Sequence, residues 1–330
     1  FRKSLNISFK SFMRKKKKKE DYLPEIGLIG LGRWGKNMVN ACKNISCLKL
    51  KCVASKNPNA KELIPNDCKI YFDWRDMITS QGLDGVIICT PPKTHLEIAQ
   101  YFIKASVPIL IEKPLTLNLN EANSIYKLAK SYNNLVMTDF IHLFNYKFKA
   151  LKDSLKLIGD IKYVLTKAGN FGPYRKDTPV LWDWGAHDLS ILISLIGQSP
   201  NKISTKRIKE NKIRKEDESI WKINCCFDNQ IESSTLIGNM MPKCRKVGVL
   251  GSNGMLVFDD LATTPLKFYK NWNYRDFPTK GGKSIPVASQ KEPLHLVIES
   301  FLDLIKNDIN NHWSLSLGVE ICRLLKEASI

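Results

Sequence analysis

The sequence predicts an α/β protein: a doubly wound parallel sheet in the first half, then an α+β domain with a largely antiparallel, open sheet. Three observations carry this. Short, wholly apolar runs such as residues 86–89 and 109–111 have the length of buried strands. Segments with apolar residues at helical spacing separate them, as in Leu96, Ile98, Ala99, Phe102 and Ile103. Beyond residue 200 the pattern changes to strand-like stretches punctuated by turn signals.

The elements follow in order. Residues 25–30 read as a strand, 35–44 as a helix, 48–54 as a second strand and 70–72 as a third. Residues 85–90 form a fourth strand ending in Pro91-Pro92, and 94–105 a helix. A buried strand at 107–111, a helix at 118–132 and a strand at 135–138 close this series. The second half opens with a helix near 144–157, a strand at 161–168 and a helix at 183–196. Strands are expected at 202–208, 219–227, 231–239, 245–250 and 255–258, with turns at Asp228-Asn229 and Gly251-Ser252-Asn253-Gly254. Helices at 293–306 and 315–326 complete the reading, and no internal repeat is present.

Composition sets outer limits. The 330 residues are 43% hydrophobic and 25% charged, too apolar for a disordered chain, and two domains are the expectation at this length. No run approaches the ~18 apolar residues of a membrane span. The net charge of +19 suggests a nucleic acid or an anionic membrane as partner, but nine bases and one acid fall within residues 1–20, leaving +11 elsewhere. The body's lysines, such as Lys147, Lys149 and Lys152, lie on polar faces of expected helices, so no specific nucleic-acid partner is expected. The chain begins at Phe1, and residues 1–12 lack the apolar core of a secretory signal. Either a transit peptide or an artefact upstream of a start at Met13 is expected there. Nine cysteines, an odd number without a C-x-x-C pair, suit a reducing cytoplasm, and no Cys/His spacing suggests a metal.

Four motifs carry chemistry. Gly30-Leu31-Gly32-Arg33-Trp34-Gly35 matches G-x-G-x-x-G at a strand-to-helix junction. There Gly30 permits the turn, Gly32 admits a pyrophosphate and Gly35 lets helix and strand approach, as in a Rossmann dinucleotide site. The second strand ends in Ser55-Lys56 where an NAD site usually has an acid, so NADP is expected in preference to NAD. Thr90 and Pro91 follow the fourth strand and are expected to line the cofactor cleft; His95 either faces the cofactor or simply starts its helix. Glu112-Lys113-Pro114 follows the fifth strand, where Lys113 can polarise a substrate oxygen. Asp183 and His187 are four residues apart, on one helix face, and a neutral histidine suits proton abstraction from an alcohol.

In order and spacing these motifs resemble the Gfo/Idh/MocA oxidoreductases, named for glucose–fructose oxidoreductase and inositol dehydrogenase. The resemblance spans about residues 24–328 and includes Glu292-Pro293-Leu294 before the penultimate helix. It implies a Rossmann domain over 23–142, a substrate-binding and oligomerisation domain over 143–330, and a basic tail over 1–22 expected to be disordered. It implies Lys113, Asp183 and His187 as the catalytic set, with Tyr174 and Arg175 as candidate substrate contacts. Arg33, Trp34 and Glu112 join the expected cofactor site. The implied reaction is hydride transfer between NADP or NAD and a secondary hydroxyl of a sugar, nucleotide sugar or cyclitol. The run from Asn170 to Arg175 and that from Leu181 to Gly185 resemble a subgroup tied to surface-polysaccharide sugars. A cytoplasmic homodimer or homotetramer through the C-terminal sheet is implied as well. The alternative is a non-catalytic NADP-binding sensor, for which three intact catalytic positions would have no use.

Overall fold

The computed structural model describes residues 22–79, 82–211, 217–288 and 291–329. All of the expected basic tail except Tyr22 lies outside the described residues.

Six short strands build the first sheet. They are β1 (Glu25–Ile29), β2 (Lys49–Ala54), β3 (Lys69–Tyr71), β4 (Gly85–Ile88), β5 (Ile109–Glu112) and β6 (Val136–Asp139). Interleaved with them are α1 (Arg33–Lys43), the single turn α2 (Ala60–Leu63), α3 (His95–Lys104) and α4 (Leu119–Ser131). The strands pair in the order β3-β2-β1-β4-β5-β6, all parallel. Successive residues of a strand point to opposite faces. Ile87, Leu110 and Met137 accordingly pack into one apolar cluster, and Val86, Ile88, Ile109, Ile111 and Val136 into the other. That double burial explains why these strands read as unbroken apolar runs. Strand order reverses between β1 and β4, opening a crevice at the carboxyl ends, where loops meet ligand in such sheets.

The second half contains α5 (Tyr146–Asp153), β7 (Ile161–Phe171), α6 (Val180–Ile196), β8 (Lys202–Asn211), β9 (Glu218–Cys226) and β10 (Glu232–Gly238). It continues with β11 (Met240–Gly251), β12 (Gly254–Asp259), β13 (Leu266–Lys270), β14 (Lys283–Ser284), α7 (Pro293–Asn307) and α8 (Trp313–Ala328). The eight strands follow the order β14-β13-β12-β11-β7-β10-β9-β8, antiparallel throughout except for the pair β7/β10. The expected fold class therefore holds.

Local departures have local causes. The helix expected over 144–157 is broken, because the Asn145 side chain accepts from the Lys147 backbone N–H at 2.9 Å and caps α5 there. Tight turns at Ile141–Phe144 and Leu155–Leu157 flank it. Helix α6 starts at Val180, three residues early, just after Pro179; the Val180 N–H donates to Asp217 Oδ2 at 2.7 Å. It ends at Gly197 with φ of +83°, the left-handed stop that glycine adopts freely. Strands β13 and β14 have no counterpart in the sequence reading. Among the described residues no helix is long and apolar enough to cross a membrane.

The two halves share helices. Helix α7 returns to the first sheet, where Val297, Ile298, Phe301 and Leu302 join the cluster of Ile26, Leu28 and Ile87. Gly85 is small because α7 sits on it: a Cβ there would lie 2.9 Å from Ile305 and 3.0 Å from the Phe301 ring. Helix α8 packs on α4, β6 and α6, and its Ser314 Oγ accepts from the Thr138 N–H at 3.1 Å. Helix α6 is thereby held between the second sheet and α8, with the end of β5 close enough for side chains to meet.

Candidate active site

The crevice at the carboxyl ends of β1 and β4 holds a pocket of about 430 Å³. Gly30, Gly32, Ser55, Lys56, Thr90 and Pro91 are all among its lining residues. Gly30 has φ of +96°, and a Cβ on Gly35 would lie 1.9 Å from the Gly30 carbonyl oxygen, so neither position tolerates a side chain. At Gly32 a Cβ would meet nothing within 4 Å. That open ground at the start of α1 is what a pyrophosphate needs, and the residues present fit a dinucleotide. Lys56 Nζ lies 5.6 Å from the centre of the Phe72 ring, which is 72% exposed at the pocket rim. Ser55 Oγ accepts from the Asn57 N–H at 3.0 Å and shapes the loop that carries Lys56. The sequence reading passed over Phe72 and Trp74, which also line the pocket.

Arg33, Trp34 and His95, also expected at the cofactor, are not among the residues lining this pocket. Arg33 is exposed beside Gly32. Trp34 lines a separate hollow of about 310 Å³ between α1 and the start of α7, with Asn37, Asn40 and His295, and its buried Nε1 has no partner. His95 is fully buried, Nδ1 lying 3.0 Å from the Leu115 carbonyl and Nε2 2.9 Å from that of Thr90. It braces the loops after β4 and β5. Burial lowers its pKa despite those two carbonyls, which favours a neutral ring.

The residues expected to be catalytic converge one strand further along. Lys113, directly after β5, donates to Asp183 Oδ1 at 2.7 Å and to the Asp183 carbonyl at 3.0 Å. Arg175 forks onto Asp177 at 3.0 and 2.9 Å and reaches Asp183 Oδ1 at 3.4 Å. Burial alone would raise the Asp183 pKa; the Lys113 ammonium, and after it Arg175, outweigh burial and hold it below its ordinary value. One turn on, His187 is half-buried, and its buried Nδ1 has no hydrogen-bond partner among the described residues. Burial first, then Lys113, His142 and Arg245, push its pKa well below the usual histidine range. Its ring is therefore a neutral acceptor of protons. Tyr174 is 37% exposed at the margin.

Glu112 points into the protein. It stands in register with Asp139 of β6, and the two buried carboxyl groups lie within hydrogen-bond reach of each other. Burial, then the Asp139 carboxylate, raises the Glu112 pKa well above the carboxylate range, and burial raises that of Asp139 too. Two further residues escaped the sequence reading. His142 packs edge-on against His187 with ring centres 4.4 Å apart, and Arg245 of β11 donates to His142 Nε2. His142 follows a strand end, a position from which it could have been found; Arg245 comes from the other sheet and carries no local signal.

The glycine turn at the β1–α1 junction of a parallel sheet has the form of a dinucleotide site, and the candidate catalytic residues lie where the two sheets meet. A profile of the oxidoreductase family with an NAD-binding Rossmann fold, Gfo/Idh/MocA, matches residues 25–140. The crystal structure of a provisionally designated oxidoreductase from Magnetospirillum magnetotacticum MS-1 superposes with a TM-score of 0.87 and 34% identity, covering 93% of this chain and 100% of that one. The rhizopine catabolism protein MocA of Rhizobium meliloti is 25% identical over 66% of this chain and 72% of its own length. An inositol 2-dehydrogenase of Rhizobium meliloti (strain 1021) is 26% identical over 54% of this chain and 56% of its own length. The chain belongs to the Gfo/Idh/MocA family of NAD(P)-binding oxidoreductases.

Proposed function

We propose that the protein is a dehydrogenase of a secondary hydroxyl on a sugar, nucleotide sugar or cyclitol, with NADP as its preferred cofactor. The observation that carries this is the Lys113–Asp183 ion pair at the carboxyl end of β5, one helical turn from His187, whose Nδ1 has no hydrogen-bond partner among the described residues. The similarity to an inositol 2-dehydrogenase supports the substrate class.

In this reading each residue has one task. Lys113 has three N–H donors and gives two to Asp183, so the third is free for the substrate oxygen. Asp183 fixes that ammonium in place. His187, neutral, takes the hydroxyl proton while Lys113 stabilises the charge left on oxygen. When bound, the nicotinamide supplies the two-electron acceptor for the hydrogen on the same carbon, leaving a carbonyl. Gly30 and Gly32 would hold the pyrophosphate, Gly35 lets α1 pack close to β1, and Lys56 would meet the 2′-phosphate that distinguishes NADP.

The test is direct. Lys113→Ala and His187→Ala are each expected to abolish turnover across a sugar and cyclitol panel while NADPH binding, read by its fluorescence, persists. Near-normal rates in both variants would end the assignment, and cofactor binding without turnover in the wild type would point to a sensor. For the cofactor, Lys56→Glu should weaken NADP by roughly tenfold or more, the worth of one charge-assisted contact, and leave NAD unchanged. Equal losses for both cofactors would remove Lys56 from the 2′-phosphate site.

A further inference from the structure

We propose that Arg245 and His142 form an anion-recognising subsite beside His187, so that the ring oxidised here carries a carboxylate or phosphate group. The inference rests on the dehydrogenase reading for the reaction, but the subsite itself is argued from side chains that reading does not use.

Arg245 projects from β11 in the second sheet and meets the 3₁₀ turn that follows β6 in the first. Its side chain makes one hydrogen bond among the described residues, to His142 Nε2. It makes no ion pair there. Asp188 and Asp260 lie near enough to favour its charge, yet each is committed elsewhere or enclosed. Asp260 receives Lys147 and the Asn145 amide, both at 3.2 Å. Asp188 is 2% exposed, enclosed against Thr166 of β7. A guanidinium has five N–H donors and no acceptor. Placing one at a half-buried junction against a neutral ring nitrogen leaves most of those donors unfilled by protein, and a further anion would complete it.

The contact also fixes the histidine. Arginine only donates, so His142 Nε2 is the lone-pair nitrogen, and in the neutral ring the proton resides on Nδ1. Burial, then Arg245 and Lys113, keep His142 from taking a second proton. Arg245 thus keeps its charge for a ligand, and His142 adds a neutral N–H donor beside it.

The placement suits a substituent of the reacting molecule. His142 stands between the guanidinium and His187, its ring in contact with the latter. An anion on Arg245 is therefore one imidazole's width from the proton acceptor, a separation spanned across a six-membered ring. The nearer acids are already matched, Asp183 by Lys113 and Asp177 by Arg175. Asp188 offsets part of the Arg245 charge but makes no hydrogen bond to it among the described residues, so most of the guanidinium's donors are unfilled. The planar fork of arginine binds the paired oxygens of a carboxylate or phosphate in a way that lysine does not reproduce.

The experiment uses the whole chain with NADP bound and reads binding by calorimetric titration, so it does not depend on turnover. The carboxylate arm is D-glucuronate and D-galacturonate, the phosphate arm D-glucose 6-phosphate, and the neutral references are D-glucose and D-galactose. At least one acidic sugar should bind about tenfold or more tightly than its neutral reference, and the arm that does so identifies the group. Arg245→Gln should erase that preference, and Arg245→Lys should restore only part of it. A wild type that binds no acidic sugar more tightly than its reference overturns the proposal without any variant. So does an acid-to-neutral ratio that Arg245→Gln leaves intact. If the ratio follows Arg245 but no sugar is oxidised, the subsite stands and the dehydrogenase reading falls. If turnover depends on Lys113 and His187 but shows no acid preference, the dehydrogenase reading stands and the subsite falls.

Discussion

Asp188, the residue after His187, shows how burial sets behaviour one side chain at a time. It is 2% exposed, its Oδ2 has no partner, and burial pushes its pKa from the ordinary 3.8 to about 6. The folded state therefore binds this proton more tightly than the unfolded chain. Its contribution to stability is whole below pH ~4 and is lost as pH rises towards ~6, a change of about 2–3 kcal/mol. Asp188→Asn should remove that dependence, so the variant gains on the wild type between pH ~4.5 and pH ~7.5 in urea unfolding. A stability difference independent of pH would show that Asp188 is solvated. At this scale Lys113, Asp183 and His187 were legible because the sequence preserves their motifs. Their pairing was not: the i, i+4 spacing suggested an Asp183–His187 couple, whereas Asp183 is occupied by Lys113 from another strand. His95 shows the same limit, since a helix-start histidine gives no hint that two carbonyls will claim its nitrogens.

Among the elements, the parallel strands could be read directly, because burial on both faces leaves an uninterrupted apolar run. The antiparallel edge could not. Strand β13 has its first residue buried and the rest half-buried or exposed, and β14 is two exposed residues, so neither has a pattern to detect. The penultimate helix was legible as a helix, but its destination was not, because an apolar stripe does not say which surface covers it. In the structure that stripe lies on β1 and β4, with Phe301 fully buried against Gly85. Phe301→Ala should cost about 3–5 kcal/mol, the range for a buried aromatic truncated to leave a cavity. The check is the unfolding midpoint together with NADPH affinity; a loss below ~1 kcal/mol would mean that α7 is only loosely attached.

For the whole molecule, the charge that first suggested a polyanion has a more local outlet. Lys56 stands at the cofactor pocket, and Lys113, Arg175 and Arg245 gather where the sheets meet. The return of α7 to the first sheet has a further consequence, for the order of events during synthesis. The first sheet is translated early, and α1 covers part of one face, yet the rest of that face stays uncovered until residues 293–307 emerge. By then every strand of the second sheet has left the ribosome. The nascent chain must therefore carry a partly open apolar face through most of its production, and the unit translated first is the last to be closed.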